Sequence, residues 1–571
     1  MFIPTTKEEL RSLGWDSLDV ILITGDSYVD SPFIGVSMIG KILLNAGYRV
    51  GIIAQPDIHN DDITRLGEPG LFWGVTGGSI DSMVANYTAL KKRKKQDDLT
   101  PGGENIRRPD RAVIVYSNLI RRYFKETAPI VLGGLEASLR RIAHYDYWSD
   151  SIRRSILFDA RADYLLYGMA ENTVLQLANI FKKGSRPEEL RGLCYISKEP
   201  VSGAIELPSF KEVAEDKNAF VKMFHTFYQN NDAITAGTLV QLQDTRYLVQ
   251  TPPPFPLSQP ELDELYKLDY EYAQHPWYEQ SGSVRALDTI QFSLTTHRGC
   301  YGECNFCSIA IHQGRTVTWR SESSLLQEAR TMIDHPDFKG TIADVGGPTA
   351  NMYGFECKKK TDEGSCSFRR CLVPSICPNL PVNHNRQRSL LQKLRQLPGV
   401  KHVFVASGIR YDLVLKDTKH GGRYLRDVVR WHTSGQMKIA PEHTSANILK
   451  LMGKPGPDLL LKFRDLFYDF TSSFRKKQYL TYYLIAAHPG CTENDMKDLK
   501  TFTGRNLWVS PEQVQIFTPT PSTYSSLMYY TEKDPFTGKK IFVEKDLSRK
   551  KRQKQIITRK THMSDGKKRS G

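Results

Sequence analysis

At 571 residues the chain is too long for one small core, and with 40% hydrophobic and 25% charged residues it excludes wholesale disorder and a fibrous repeat. No stretch nears the roughly 18 apolar residues of a membrane span, and the start MFIPTTKEELRSLGWD lacks the order of a secretory leader, so a cytoplasmic location and no membrane partner are expected. The net charge of +15 is mostly terminal: ten Lys or Arg and one acid follow from Arg549 onward, leaving only +6 for the preceding 548 residues.

Residues 1–195 alternate apolar runs with helical patterns: DVILITGD (19–26), VSMIGKILLNAGY (36–48), RVGIIAQ (49–55), AVIVYS (112–117), PIVLGG (129–134) and ADYLLYG (162–168). Short β-branched runs ending at glycine and separated by helices predict an α/β fold with a doubly wound parallel sheet, whose ligands lie at the strand carboxyl ends. The basic stretch 91–111 is expected to be a solvated surface loop. Between 196 and 285 the pattern weakens, and the proline-rich TPPPFPLSQPELDE (251–264) cannot run through a regular element, which predicts a bridging segment.

A second alternation follows over 286–545, with candidate strands TIQFSLTTH (289–297), TIADVG (341–346), VKHVFVAS (400–407), QMKIAP (436–441), YLTYYLIAAH (479–488) and QVQIFTP (513–519). Six strand–helix units predict a parallel barrel or part of one, with chemistry at its carboxyl ends. A capping box, Ser324-x-x-Gln327, is expected to open the helix after the first strand. Residues 546–571 are expected to form a disordered basic tail; with no aromatic residue from Arg549 onward, it should make at most a weak, sequence-tolerant RNA contact, and truncation after Phe542 is expected to leave activity intact.

Seven of the nine cysteines lie between Cys300 and Cys377. Cys300, Cys304 and Cys307 form CxxxCxxC directly after the first strand of the second unit. Structural zinc needs four closed ligands, whereas a local triplet suits three irons of a 4Fe-4S cluster with the fourth iron open. Cys357, Cys366, Cys371 and Cys377 follow the second strand in a segment too polar to build its own core, and four thiolates there suit a structural zinc or a second 4Fe-4S cluster, with free or redox-paired cysteines as the alternative.

CxxxCxxC with Phe306 before its last cysteine resembles the radical S-adenosylmethionine (SAM) superfamily. LGGLEASLRRIAHYDYWSDSIRRSIL (132–157), GGPTANMYG (346–354), FVASGIRYDL (404–413) and KIAPEHTS (438–445) are similar to the YgiQ family of that superfamily. The resemblance implies a partial (β/α)6 barrel, a SAM-binding 4Fe-4S cluster, reductive formation of a 5′-deoxyadenosyl radical, and an external flavodoxin- or ferredoxin-type electron donor. It implies SAM contacts at Gly346, Gly347, Ser407, Arg410 and Glu442, although Arg410 and Glu442 could equally pair with each other, and Pro348 stands where glutamate is common. It leaves the substrate and catalytic residues undefined.

The first unit resembles the cobalamin-binding module that precedes many such barrels. The DxHxxG pattern appears here as Asp26, Tyr28 and Ser31, without a histidine to ligate cobalt, so a substrate or partner domain is preferred over a cobalamin site. The alternatives are a zinc-stapled nucleic-acid-binding protein without catalysis, motivated by the clustered cysteines and basic tail, and radical SAM modification of RNA.

Overall fold

The computed structural model describes residues 1–509 and 511–558. Its largest element is a nine-stranded sheet. Five parallel strands, Val50–Ala54, Leu18–Thr24, Pro69–Thr76, Ile130–Gly133 and Tyr164–Leu166, lie side by side in that order. In chain order this is 2-1-3-4-5, a doubly wound arrangement whose direction switches between the first and third strands. Both faces are covered: Val20 and Leu22 enter one core while Ile21 and Ile23 enter another, the alternation that a strand with two buried faces requires.

Three sequence expectations change here. AVIVYS is not a strand but the start of the helix Ala112–Tyr123, which buries Ala112, Val113, Tyr116, Leu119 and Ile120 along one stripe; the central strand is Pro69–Thr76 instead. A short apolar run does not distinguish strand from helix until its neighbours decide. The segment assigned to a bridge adds Arg246–Gln250, Leu239–Gln243 and Ile205–Leu207 to the same sheet, beyond Leu193–Ser197 at its boundary with the first unit, and the pairings are antiparallel except for the last. Within the basic loop Lys91–Lys95 are exposed or nearly so, but Arg108 is fully buried, reaching Asp26 at 2.6 Å and Asp97 at 3.1 Å.

The second unit has six parallel barrel positions in chain order, the second formed by two short segments, Thr341–Ile342 and Asp344–Gly346, beside a small antiparallel pair, His297–Arg298 with Thr318–Trp319. Ser293–Thr295 pairs with Asp344–Gly346, Thr341–Ile342 with His402–Val403, and Gln436–Glu442 with Tyr479–Ala486, which pairs with Val514–Ile516. An Ile409–Ile439 bridge links the two halves. This is the expected partial (β/α)6 barrel. The helix after its first strand is capped by Ser321, whose hydroxyl accepts from the Ser324 backbone; Ser324 lies inside the helix, where buried Arg320 occupies its oxygen. No helix among the described residues is long and apolar enough to cross a membrane.

The expected tail divides. Leu547–Thr558 is a helix burying Lys550, Gln553 and Ile557, three and four residues apart on one face. Its charged residues conceal this stripe in the composition. Gln553 accepts from the Ala487 amide at 3.0 Å and donates to the Cys491 carbonyl at 3.2 Å, while Lys550 donates to the Tyr147 and Tyr529 hydroxyls at 3.3 and 2.8 Å. The helix thus ties the barrel to the first unit. Residues 559–571 of the expected tail lie outside the described residues.

Buried imidazoles make the fold acid-sensitive. Burial holds His144 and His432 down to about 4 and His488 to about 3, so each is neutral when folded but binds a proton near pH 6.5 when unfolded. Their contribution is fully present above that value and is lost as pH falls towards 4. Thermal melts should show a steady drop in midpoint between pH 7 and 4.5; a flat profile would contradict this.

Candidate functional site at the interface of sheet and barrel

The cysteine loop is built on backbone contacts that leave little freedom. Gly299 has φ +79°, and a Cβ there would lie 2.3 Å from the Thr316 carbonyl. Beyond it, the Asn305 amide donates to the Met452 carbonyl at 2.9 Å and the Cys307 amide to the Cys304 carbonyl at 3.0 Å. Glu303, between the first two cysteines, is held at φ +44°. Such conformations cost energy that the surrounding structure must supply, and they concentrate at functional sites.

The donor set fits an iron–sulfur cluster. The Gly302 amide donates to Cys300 Sγ at 3.3 Å, and Thr349 Oγ1 stands 3.5 Å from the same sulfur. Arg410 places Nη1 3.7 Å from Cys304 Sγ. Gly302 itself is a cradle: a Cβ there would stand 3.2 Å from Cys300 Sγ, 3.6 Å from Cys304 Sγ and 3.1 Å from Arg410 Nη1. Burial pushes the free Cys307 thiol up to about 12, with Cys304 adding to the effect, so this sulfur becomes a thiolate only where a metal replaces its proton. Among the described residues no three Cys, His, Asp or Glu side chains converge on a single ion. A cubane cluster, which gives each thiolate its own iron, does not need them to.

The other sequence-predicted residues gather around this loop. Gly346 pairs with Thr295, and its carbonyl accepts from the Thr296 amide at 2.6 Å. Gly347 packs against His297, where a Cβ would stand 2.7 Å from the ring. Ser407 donates to Asp344, which also accepts from the Ala406 and Ser407 amides at 2.7 and 3.1 Å. Arg410 and Glu442 do not pair with each other: Arg410 binds Asp412 at 2.6 Å, and Glu442, at φ +68°, faces Lys454 at 3.8 Å. Burial raises the Glu442 carboxyl, and Lys454 and Arg410 oppose the shift.

A cavity of about 540 Å³ joins the barrel site to the first unit. One wall is the carboxyl edge of the parallel sheet, with Gly78, Gly133, Gly134 and Gly168; the other carries Gly346, Gly347, Ser407, His297 and His312. Composition and motif reading missed four residues of this cavity. His297 is fully buried, neutral because burial lowers it to about 4, and its Nε2 has no hydrogen-bond partner. Arg298 forms a buried ion pair with Glu171, whose Oε2 also lacks a partner. His312 reaches Ser138 at 3.2 Å. The only signal for the first two was their place in THRGC, immediately before the cluster loop. Tyr28, at the missing-histidine position, is turned away: its hydroxyl accepts from the Ile3 amide at 3.0 Å and its ring stacks on His275.

Comparison with known proteins decides the family. The Radical SAM N-terminal family model matches residues 2–293. A UPF0313 protein of Fusobacterium nucleatum is 58% identical over 561 residues, 98% of this chain and 99% of its own, and one from Thermotoga maritima is 48% identical over 98% of each. The chain belongs to the YgiQ/UPF0313 family of radical SAM proteins. The fold is also that of two radical SAM structures. TsrM from Kitasatospora setae with cobalamin and a [4Fe-4S] cluster has TM-score 0.50 and 13% identity, over 90% of this chain and 74% of that one. The cobalamin-dependent OxsB with aqua-cobalamin has TM-score 0.50 and 14% identity, over 93% and 58%. This membership replaces the alternative of a zinc-stapled nucleic-acid-binding module.

One consequence for this YgiQ/UPF0313 chain concerns Arg410. Arg410→Gln removes the cation beside Cys304, and cluster content or SAM cleavage should fall roughly 10–100-fold, the usual effect of losing a contact to a metal ligand. Unchanged iron content and rate would contradict that role.

Proposed function

We propose that this chain reductively cleaves SAM at a 4Fe-4S cluster held by Cys300, Cys304 and Cys307, and that the resulting 5′-deoxyadenosyl radical abstracts hydrogen from a second molecule in the interdomain cavity. The observation that carries this reading is the continuity of that cavity from the glycine edge of the first sheet to Gly346, Gly347 and Ser407. When bound, the cluster supplies one electron, taken from an external flavodoxin- or ferredoxin-type carrier, and an open iron for the amino and carboxylate groups of SAM. Gly346 and Gly347 let a ligand approach the backbone closely, Asp344 fixes the Ser407 hydroxyl, and Arg410 offsets the charge of the thiolates. The mostly apolar walls exclude water from a reactive species.

Cobalamin in the same cavity is the second reading. The cavity lies at the carboxyl ends of a 2-1-3-4-5 sheet, where such sheets bind ligands, and the TsrM and OxsB structures hold cobalamin. With Tyr28 turned away, the corrin would receive no axial ligand from the Asp26–Ser31 loop. Hydroxocobalamin retained through gel filtration at one per chain supports this reading; no retention assigns the cavity to substrate alone. For the substrate, anaerobic incubation with cell extract and deuterated SAM, followed by mass spectrometry of labelled products, needs no prior guess.

A further inference from the structure

Cys357, Cys371 and Cys377 take no part in the site above. They come from the loop after the second barrel strand and pack into one apolar cluster with Tyr301, Phe355 and Leu372, a cluster that also touches Cys300. Cys357 is buried, and the Cys377 amide donates to the Cys371 carbonyl at 2.8 Å. Cys366 stands apart from the group: its neighbour Ser365 is tied to Asp232 through its amide at 3.1 Å and its hydroxyl at 2.7 Å. None of the four is in a disulfide.

The charges between the two cysteine loops do not balance. The buried Glu303 carboxylate, in the first loop, faces Arg315 at 3.2 Å and Lys360 at 3.6 Å, and Arg370 donates to the Glu303 carbonyl at 2.9 Å. These three cations form no ion pair with any other carboxylate among the described residues. Arg370 is half-buried over the rings of Tyr228, Tyr524 and Phe536, but Arg315 and Lys360 are nearly buried and share the one Glu303 carboxylate. Uncompensated buried charge is costly, so the extra cation calls for an anion. Lys360 points to where: its Nζ lies 3.6 Å from Cys371 Sγ. Thiolates bound to metal supply negative charge at that place.

The metal is the remaining choice. Zinc needs four ligands around one ion, and no such convergence occurs among the described residues. The zinc version of the expected second site, with Cys366 as fourth ligand, thus finds no support in the geometry. A polynuclear cluster, in which each thiolate meets a different iron, suits thiols that share one pocket without sharing one point.

We propose that Cys357, Cys371 and Cys377 hold a second iron–sulfur cluster beside the first, with Lys360 between them. Its loop reaches solvent through Phe368, 79% exposed, and through Lys358 and Lys359. The second cluster therefore takes one electron from an external carrier and passes it to the first, returning to its oxidised state. This role rests on the radical SAM reading; the site does not.

The test uses the full chain, reconstituted anaerobically with iron and sulfide and reduced with dithionite. The C300A/C304A/C307A variant should keep about half of the wild-type iron, roughly four per chain, with an electron paramagnetic resonance (EPR) signal that SAM does not alter. The C357A/C371A/C377A variant should keep the other half and a SAM-sensitive signal. If either variant folds poorly, wild type decides: two reduced signals are expected, only one of which shifts with SAM. Wild type with a single, wholly SAM-sensitive cluster overturns the proposal, as does zinc in place of iron in the first-loop variant. Two signals that both ignore SAM uphold the second cluster and sink the radical SAM reading instead.

Discussion

Cys304→Ser should abolish formation of 5′-deoxyadenosine, a loss well beyond the roughly 10–100-fold that follows removal of a contact to a metal ligand. The reason is specific to this loop. Cys304 Sγ is the sulfur nearest Arg410, and both Cys300 and Cys304 border the space that Gly302 leaves open. Removing the middle thiolate leaves two donors for a group that needs three. Iron analysis separates the causes: the variant should lose the iron of the first loop while its circular dichroism stays that of wild type. A variant that keeps both iron and activity would remove Cys304 from the ligand set.

Truncation after Asp546 should be nearly as damaging, reversing what the composition of the terminus suggests. The helix Leu547–Thr558 buries Ile557, worth about 1.5–3 kcal/mol for a side chain of that size. Its loss also strips Gln553 from the Ala487 amide and the Cys491 carbonyl, at about 1–3 kcal/mol for each polar group left without a partner. Against a typical total of about 5–15 kcal/mol, this should lower the melting midpoint by roughly 3–8 °C for a chain of this length, and SAM cleavage should fall with it. Lys550 supplies a second check. Burial lowers its ammonium to about 8, so between pH 8 and 10.5 the unfolded chain carries a proton that the folded chain lacks, and docking should strengthen as pH rises through that window. Truncation that leaves the midpoint unchanged would make the helix an ornament of the surface.

The sequence carried the architecture further than its details. The strands of both units were legible wherever a β-branched run ended at glycine, as in Ile130–Gly133 and Asp344–Gly346, because a ligand-facing strand end constrains composition. AVIVYS misled because its apolar residues serve a helix as well as a strand, and only the packing of Tyr116 and Ile120 separates the two. The alternating TLVQLQDTRYLVQ hairpin was overlooked beside a proline-rich neighbour. Terminal charge concealed Lys550, Gln553 and Ile557, whose burial depends on surfaces hundreds of residues away.

The site divides in the same way. The CxxxCxxC triplet Cys300, Cys304 and Cys307 was legible because the cluster chemistry proposed for it requires both that residue type and that spacing. His297, Glu171 and His312 were not, since they meet only when the barrel closes over the first sheet. The partners of Arg410 and Glu442 could not be read from spacing either. Asp412 and Lys454 take those places through the local course of the backbone after each strand.

Reductive cleavage of SAM at the first cysteine loop has a direct readout. Full-length protein, reconstituted anaerobically and mixed with SAM and dithionite, should be brown, should change its EPR signal when SAM is added, and should release 5′-deoxyadenosine and methionine in equal amounts. A colourless protein that binds zinc but no iron at Cys300, Cys304 and Cys307, and leaves SAM intact, would contradict it.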